Sequence, residues 1–270
     1  MLFDDHYVAE GYICIQSILE RNATSRVFVL CLGDTVAPAL SQLDRVIPIT
    51  KAALEALFPD IAATRPPRPW APYVQSLKPF LAEYILINHD VTALTYVDSD
   101  MYFWGDPAEI DTEFAGHSFM VTPRKEGSTR AFDGSCFSCR NDDKGKAILH
   151  WWQARCIEWC LYEEGGPNGA LADDGYLNIF KTEPDKFEGV HICAHPGINA
   201  SYGNIHTYTV VQTENGIMVN DRPLVCYHYR AFKKTSEELQ ELALPENIIE
   251  FIYRPYHVRL PIAPAALPQE

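Results

Sequence analysis

Two aspartates at the end of an apolar segment constrain the fold of this chain more than any other feature. Leu94-Thr-Tyr-Val97 is rich in residues that favour β-structure, and Asp98 and Asp100 follow it directly. The run predicts a buried strand with both acids at its carboxyl end. Because ligands bind at the carboxyl ends of strands in open α/β sheets, we interpret this position as a candidate site.

The chemistry of the two acids indicates a metal site. Neighbouring carboxylates repel each other unless a cation lies between them. Oxygen ligands suit Mn²⁺ or Mg²⁺, and such an ion keeps coordination positions open for substrate phosphates. The alternative is an acidic turn that caps the next segment, because Asp-x-Asp is a short pattern. The sequence alone leaves both interpretations open.

A histidine and a group of cations late in the chain extend this candidate site. The segment Leu224–Tyr229 predicts a strand, and His228 lies near its end, where an imidazole could be a third ligand for Mn²⁺. Arg230, Lys233 and Lys234 follow, and their charges could neutralise a diphosphate leaving group. The alternatives are a buried histidine with a polar partner and a solvated basic turn.

Two other acidic groups are candidates for binding or catalysis. Asp173 and Asp174 begin a predicted helix, where they could cap it. A carboxylate there could also face a sugar ring as nucleophile, base or electrostatic stabiliser. Near the start of the chain, Asp4, Asp5 and Tyr7 could hold a nucleotide base by hydrogen bonding and stacking. The alternative is an N-cap, which Asp5 would supply.

Charge and composition limit the possible partners. The chain has 270 residues and a formal net charge of -14, which argues against a nucleic-acid surface. An anionic membrane repels such a chain on average, although a local basic patch could still make peripheral contact. We find no leader pattern and no apolar run long enough to span a membrane, so we expect a cytoplasmic protein. Nothing in the sequence predicts the oligomeric state.

The order of predicted elements indicates an α/β fold. Strands at 27–32, 46–49 and 94–97 alternate with helices such as Tyr73–Asn88. This pattern predicts a mostly parallel sheet flanked by helices, with short additional strands near the C-terminus. We expect one domain over residues 1–234. Residues 235–270 would form a C-terminal helix and an extended tail, packed on that domain or on a partner.

Several of these segments resemble nucleotide-sugar glycosyltransferases of the GT-A fold. The run Tyr96-Val-Asp-Ser-Asp-Met-Tyr-Phe103 is similar to the Asp-x-Asp segment of the family-8 retaining transferases. That family also carries a late H-x-x-G-x-x-K, in which the histidine binds the metal and the lysine meets the diphosphate. Here the segment reads His228-Tyr-Arg-Ala-Phe-Lys-Lys234. The spacing from His228 to Lys234 is kept, and Ala231 replaces the glycine.

Three more segments are similar to those of family 8, each with one substitution. Lys78, in the helix that ends at Glu83-Tyr84, takes the place of an arginine near the sugar. Asp133, in Phe132-Asp-Gly-Ser135, takes the place of an asparagine that contacts the donor sugar. Asp174 stands where the family's D-Q-D-x-L-N carries a glutamine on the reacting face. A related set of bacterial proteins, known as glycosyltransferases only by their family, resembles the chain from Leu2 to about Lys234.

The resemblance implies a metal-dependent glycosyltransferase with residues 1–234 as its catalytic domain. It implies a nucleotide-sugar donor, UDP-linked, a glycan or other hydroxyl acceptor, and retention at the anomeric carbon. The residues implied are Asp98, Asp100 and His228 for Mn²⁺ or Mg²⁺, Asp4, Tyr7, Ser99, Arg230 and Lys234 for the donor nucleotide, and Lys78, Asp133 and Asp174 around the sugar.

Two alternative functions remain. The first is a non-catalytic nucleotide-sugar or glycan binder that has kept the fold, and Ala231 and Asp174 are the substitutions that favour it. The second is a metal-dependent phosphohydrolase, which would need more clustered histidine and aspartate ligands than the sequence offers.

Overall fold

The structure is a computed structural model that describes residues 1–124, 128–163, 166, 172–230 and 244–260. Ala231, Lys233 and Lys234 lie outside these ranges. So does the expected domain boundary at residue 234, which stays a prediction. None of the helices in the described ranges has the length and apolarity needed to cross a membrane.

The strands and helices of the described residues alternate along much of the chain, which confirms the α/β class. The strands are β1 (Leu2–Phe3), β2 (Val27–Cys31), β3 (Val46–Thr50), β4 (Ala93–Val97), β5 (Met101–Phe103), β6 (Phe119–Pro123), β7 (Phe132–Arg140), β8 (Val190–Ile192), β9 (Ala200–Ser201), β10 (Val210–Thr213), β11 (Gly216–Val219), β12 (Arg222–Pro223) and β13 (Cys226–His228). The α-helices are α1 (Val8–Arg21), α2 (Val36–Leu40), α3 (Lys51–Leu57), α4 (Pro59–Ala63), α5 (Trp70–Ser76), α6 (Lys78–Asn88), α7 (Ala108–Phe114), α8 (Asp143–Glu158), α9 (Ile179–Thr182), α10 (Glu246–Ile248) and α11 (Arg254–Arg259). Short 3₁₀ turns cover Asp5–Tyr7, Asp174–Asn178 and Ile205–Thr207, and a π-helical turn covers Ile249–Tyr253.

These strands form four sheets with the orders β1-β2-β3, β4-β7-β6-β8, β5-β13-β9 and β10-β11-β12. In the largest, β7 runs antiparallel to β4 and β6, and β8 runs parallel to β6. In the third, β13 is antiparallel to β5 and parallel to β9. The short strands expected near the C-terminus are therefore present as β9 to β13.

Contacts between Cα atoms divide the chain into two compact units, each built from separate stretches. Unit 1 comprises Met1–Leu2, Pro48–Val97 and Phe114–Cys193. Unit 2 comprises Phe3–Ile47, Asp98–Glu113 and Ala194–Glu270. The chain thus leaves unit 1 at Val97, directly before the two acids.

The core of unit 1 lies between the large sheet and α8. Every residue from Phe132 to Cys139 in β7 is buried, and Trp152 of α8 packs edge-on against Phe137 at 5.1 Å between ring centroids. The α8 helix begins where Asp142 accepts a hydrogen bond from the Gly145 backbone at 2.8 Å, an ordinary N-cap. This packing fixes β7, which begins with the segment that carries Asp133.

The core of unit 2 is rich in tyrosine. Tyr229 stacks on Tyr256 with 3.6 Å between centroids, and Tyr227 and Tyr253 join their hydroxyl groups at 3.0 Å. All four rings are buried, which anchors the described tail residues 244–260 to the strand that carries His228. The tail therefore stabilises the strand that contributes His228 to the candidate site.

The predicted helix over 73–88 is divided in two. It forms α5 and α6, with Leu77 between them. Pro79 explains the break, because its nitrogen cannot donate a backbone hydrogen bond and is tolerated only in a first turn. The division makes Lys78 the first residue of α6, where it lies buried.

Replacing Gly197 with Ala should lower stability, because the new methyl group would lie 2.0 Å from the Pro223 carbonyl oxygen. The Gly197 carbonyl also accepts from the backbone nitrogens of Val225 and Cys226, so the two segments cannot easily separate. We expect a loss of about 1–3 kcal/mol, which thermal unfolding would show as a Tm roughly 3–10 °C lower. Gly203→Ala, with no heavy atom closer than 3.7 Å, is the control; equal Tm values for both variants would contradict this packing.

Candidate functional site

Strand pairing brings the two acids and the histidine together. In the sheet of unit 2, His228 of β13 pairs with Met101 of β5, so Asp100 lies next to His228. The Tyr229 backbone nitrogen donates to the Asp100 carbonyl oxygen at 2.9 Å and continues this pairing. The last residue of one strand thus meets the residue that precedes the other, although they are far apart in sequence.

The three side chains converge closely enough to share one cation. One ligand atom each from Asp98, Asp100 and His228 lies within 4.8 Å of the other two. His228 Nε2 is 3.2 Å from Asp100 Oδ1, with the histidine side chain 3% exposed and the aspartate 24% exposed. No second group of three such ligands is found in the described ranges. The expected convergence is therefore observed, and the role of the three as metal ligands stays a prediction.

The charges around Asp100 favour its ionised form. Burial opposes ionisation, but the charge and hydrogen bond of His228, with help from Arg230, hold the pKa of Asp100 below its usual value. Partial burial and the carboxylates of Asp100 and Asp4 raise the pKa of Tyr7, which therefore stays a neutral phenol. Two carboxylate oxygens and one imidazole nitrogen form a donor set that fits Mn²⁺ or Mg²⁺.

The residues expected to hold the nucleotide are partly engaged in local structure. The Asp4 carboxylate caps the first 3₁₀ turn by accepting from the His6 backbone at 3.0 Å. The capping role weighed for Asp5 is therefore filled by Asp4. Asp5 instead accepts from the backbone and hydroxyl group of Thr35, at 2.9 and 2.5 Å, which holds its pKa below the usual value. The ring of Tyr7 is 49% exposed.

Ser99 and Arg230 lie next to the candidate metal ligands in sequence and differ in exposure. Ser99 is buried between the two acids, at 7% exposure. Arg230 is exposed directly after β13, where its guanidinium group can reach solvent and an anionic ligand. Lys234, also expected near the diphosphate, lies outside the described residues.

Unit 1 contains a second polar group, which we call the acid–base cluster: Lys78, Arg124, Arg130, Asp133, Asp173 and Asp174. Lys78 Nζ lies 3.5 Å from Asp173 Oδ2, with both side chains 3% exposed. The same ammonium group donates to the Gly134 carbonyl oxygen at 3.2 Å. A Cβ atom at Gly134 would lie 2.9 Å from Asp173 Oδ2, so the absence of a side chain there lets β7 approach the acids.

Both oxygens of Asp174 are held by arginine. Arg124 lies 2.5 Å from Asp174 Oδ2 and Arg130 lies 2.8 Å from Asp174 Oδ1. Arg124 also contacts Asp133 Oδ1 at 3.2 Å. Burial alone would lower the pKa of Arg124, but Asp133 and Asp174 outweigh it and raise that pKa. With three acids and three cations, the cluster is balanced in charge, as buried ionic groups must be.

The structure corrects the expected roles of two segments in unit 1. Asp173 makes no capping hydrogen bond, because its carboxylate faces Lys78. Arg124 and Arg130, which no sequence pattern singled out, are two members of the cluster. The sequence signal that could have indicated these contacts is the presence of Arg124 and Arg130 shortly before Asp133 in an acidic chain. No local pattern links Arg124 and Arg130 to an acid 50 and 44 positions later.

No protein-family model matches the chain. Among curated proteins, two from Bacillus subtilis (strain 168) are similar to it, and both are uncharacterised. YfnD is 24% identical over 260 residues, which covers 91% of this chain and 83% of YfnD. YfnF is 24% identical over 268 residues, which covers 91% of this chain and 86% of YfnF.

Solved structures decide the fold. The galactosyltransferase LgtC, in complex with donor and acceptor sugar analogues, aligns with a TM-score of 0.60 at 17% identity over 93% of this chain and 98% of LgtC. Mouse xyloside xylosyltransferase 1 aligns with a TM-score of 0.53 at 16% identity over 86% of this chain and 96% of that protein. The chain has the GT-A glycosyltransferase fold. GlyE of Streptococcus pneumoniae, at 13% identity and a TM-score of 0.56, shares this fold over 97% of the chain and 61% of GlyE.

Within this GT-A fold, substitution of Asp100 or His228 should weaken Mn²⁺ binding. Asp100→Asn and His228→Ala each remove one of three converging donors, which should raise the Kd for Mn²⁺ by more than about 100-fold in calorimetric titration. Glu20→Gln is a control, because the Glu20 side chain is 53% exposed and forms only a long contact of 3.9 Å with Arg21. Wild-type affinity in both ligand variants would exclude the site.

Removing the charge of Asp174 should destabilise the protein. Asp174→Asn removes the carboxylate that Arg124 and Arg130 share, and removing one partner of a buried ion pair costs about 3 kcal/mol. We expect a clear fall in the urea midpoint. Glu188→Gln tests an exposed pair with Lys144 at 2.8 Å, and it should leave the midpoint unchanged. Equal midpoints for the two variants would mean that the acid–base cluster contributes nothing to folding.

Proposed function

We propose that this protein is a metal-dependent glycosyltransferase. It moves a sugar from a nucleoside-diphosphate donor, UDP-linked, to a hydroxyl group of a glycan or other acceptor. The observation that carries this proposal is the convergence of Asp98, Asp100 and His228 within 4.8 Å, in a chain with the fold of LgtC and xyloside xylosyltransferase 1. Both of those proteins are named for the transfer of a sugar.

Asp98, Asp100 and His228 would hold Mn²⁺ or Mg²⁺, which supplies positive charge to the diphosphate when bound. Arg230 is exposed beside this group and donates to the phosphate oxygens as negative charge grows on the leaving nucleotide. Lys234 adds a second cation in the same role. Ser99, which lies between the two acids in sequence, offers a hydroxyl group to the donor.

The donor base is held by residues near the start of the chain. The ring of Tyr7 is 49% exposed and offers a stacking surface. Asp4 orients this ring because its cap fixes the turn in which Tyr7 lies. A carboxylate accepts several hydrogen bonds, so Asp4 can also accept one from the base. Uracil fits these contacts, since it has a ring face and an N–H donor.

Lys78, Asp133 and Asp174, all in unit 1, act on the sugar. Retention needs either a covalent sugar on a carboxylate or attack on the face that the leaving group departs from. Because both Asp174 oxygens are in ion pairs, we assign Asp174 a fixed electrostatic role and favour same-face attack. The acceptor oxygen bonds to the anomeric carbon, the bond from that carbon to the phosphate oxygen breaks, and the hydroxyl proton passes to the departing diphosphate.

A second candidate is a non-catalytic nucleotide-sugar or glycan binder. The occupied oxygens of Asp174 favour it, because an acid held by two arginines is a poor base or nucleophile. Ala231 favours it as well, because it stands where the family-8 motif has glycine. This candidate predicts a higher Tm with UDP-sugar and Mn²⁺ but no release of UDP.

Release of UDP from UDP-sugars should depend on the metal ion. We expect turnover of at least one member of a UDP-hexose and UDP-xylose panel with Mn²⁺, and a loss of at least about 100-fold with chelator or in Asp98→Ala. Glu20→Gln should retain the wild-type rate. Equal rates with Mn²⁺ and with chelator would rule out the metal-dependent route. Binding of the panel without any release would favour the non-catalytic candidate.

A further inference from the structure

Tyr162 presents a half-exposed aromatic ring in unit 1. Its relative exposure is 50%, whereas most aromatic rings in the described ranges are buried or partly covered. An exposed tyrosine offers an apolar ring face and a polar hydroxyl group, which together can contact a ligand. Tyr162 has no role in the proposed function.

The backbone places Tyr162 beside the acid–base cluster. The Ala172 nitrogen donates to the Leu161 carbonyl oxygen at 2.8 Å, so the chain on either side of the intervening segment is held together. Ala172 takes a left-handed conformation with φ of 56° and leads directly into Asp173. Tyr162 follows Leu161 and Asp173 follows Ala172, so each lies next to one partner of this backbone hydrogen bond.

Electrostatic interactions agree with this placement. Burial of its hydroxyl end is the main cause that raises the pKa of Tyr162 to about 12, and Asp173 adds to the rise. The charge of Asp174 acts on the pKa of Tyr162 in the same direction, and the charge of Lys78 acts against it. The hydroxyl group therefore stays protonated at neutral pH and can donate a hydrogen bond.

A pyranose ring combines the two kinds of surface that meet here. Its C–H face packs on an aromatic ring, and its hydroxyl groups form hydrogen bonds with fixed carboxylates and guanidinium groups. Arg130 is suited to such a contact. Its side chain is 22% exposed and, among the described residues, only its NH1 group is paired with an acid. Its remaining donors can reach a hydroxyl group without breaking the pair with Asp174.

We propose that Tyr162 is the stacking residue of a pyranose-binding site whose polar edge is the acid–base cluster. This inference rests on the proposed function, because it takes the acid–base cluster as the part that recognises sugar. The pyranose comes either from the nucleotide-sugar donor or from the acceptor glycan, and the chemistry of recognition is the same for both.

The test measures sugar binding, not turnover. Wild type, Tyr162→Ala and Tyr162→Phe would be titrated by calorimetry with UDP, UDP-glucose, UDP-galactose and the two methyl hexosides, all with Mn²⁺. Tyr202→Ala is a matched control, because Tyr202 is 46% exposed but belongs to unit 2, and its aromatic neighbours Tyr227 and Tyr253 are core rings. Thermal unfolding confirms that each variant is folded.

We expect Tyr162→Ala to weaken binding of at least one sugar ligand by about 5- to 10-fold, because a stacking contact is lost. Tyr162→Phe keeps the ring face and should stay within about threefold of wild type. Tyr202→Ala and the affinity for UDP itself should not change. A loss seen with UDP-sugars and not with methyl hexosides identifies the donor as the source, and a loss with methyl hexosides identifies the acceptor.

Wild-type sugar affinity in Tyr162→Ala, or no sugar binding by wild type, would overturn the inference. The proposed function fails separately. Sugar binding that depends on Tyr162 but comes without any binding of UDP and Mn²⁺ would overturn the transferase and leave this site standing. Binding of UDP and Mn²⁺ together with sugar affinity that ignores Tyr162 would overturn this site alone.

Discussion

The contact between His228 and Asp100 is the interaction on which the candidate site depends. It exists because β13 and β5 pair antiparallel, with His228 opposite Met101. A shift of one residue in this pairing would turn the imidazole to the other face of the sheet. The aromatic contacts of β13 oppose such a shift. Tyr227 and Tyr229 pack against each other, and they also pack against Tyr253 and Tyr256 respectively. Core packing in unit 2 thus controls the geometry of the acids and histidine.

The acid–base cluster follows a different principle. Its lysine and three acids are buried and its two arginines are partly buried, and burial of an isolated charge costs far more than a surface ion pair returns. The three acids and three cations avoid that cost together, which makes each of them depend on the others. Such a network favours fixed positions over adaptable ones. Fixed charges of this kind suit the sugar-facing role that we propose for the cluster.

The sequence predicts this molecule well where short segments carry the information. The apolar run Leu94–Val97 predicts a strand with the two acids at its carboxyl end. His228 is a candidate third ligand because it lies near the end of a second apolar strand. The ion pairs of Arg124 and Arg130 with Asp174 could not be predicted, because they depend on how β7 packs against the 174–178 turn. The choice of Asp4 over Asp5 as the cap also depends on tertiary structure, since Thr35 occupies Asp5. The break at Leu77 could have been read from Pro79 alone.

The discontinuous make-up of the two units has a consequence for synthesis on the ribosome. Unit 1 draws its last stretch from Phe114–Cys193, so all of its chain has been made by Cys193. Unit 2 still lacks everything from Ala194 onward at that moment, including the strand that delivers His228. The acids Asp98 and Asp100 are then already translated but have no histidine to meet. The chain of unit 1, with the acid–base cluster, is therefore complete while unit 2 still lacks the strand and the tyrosine core that follow Cys193.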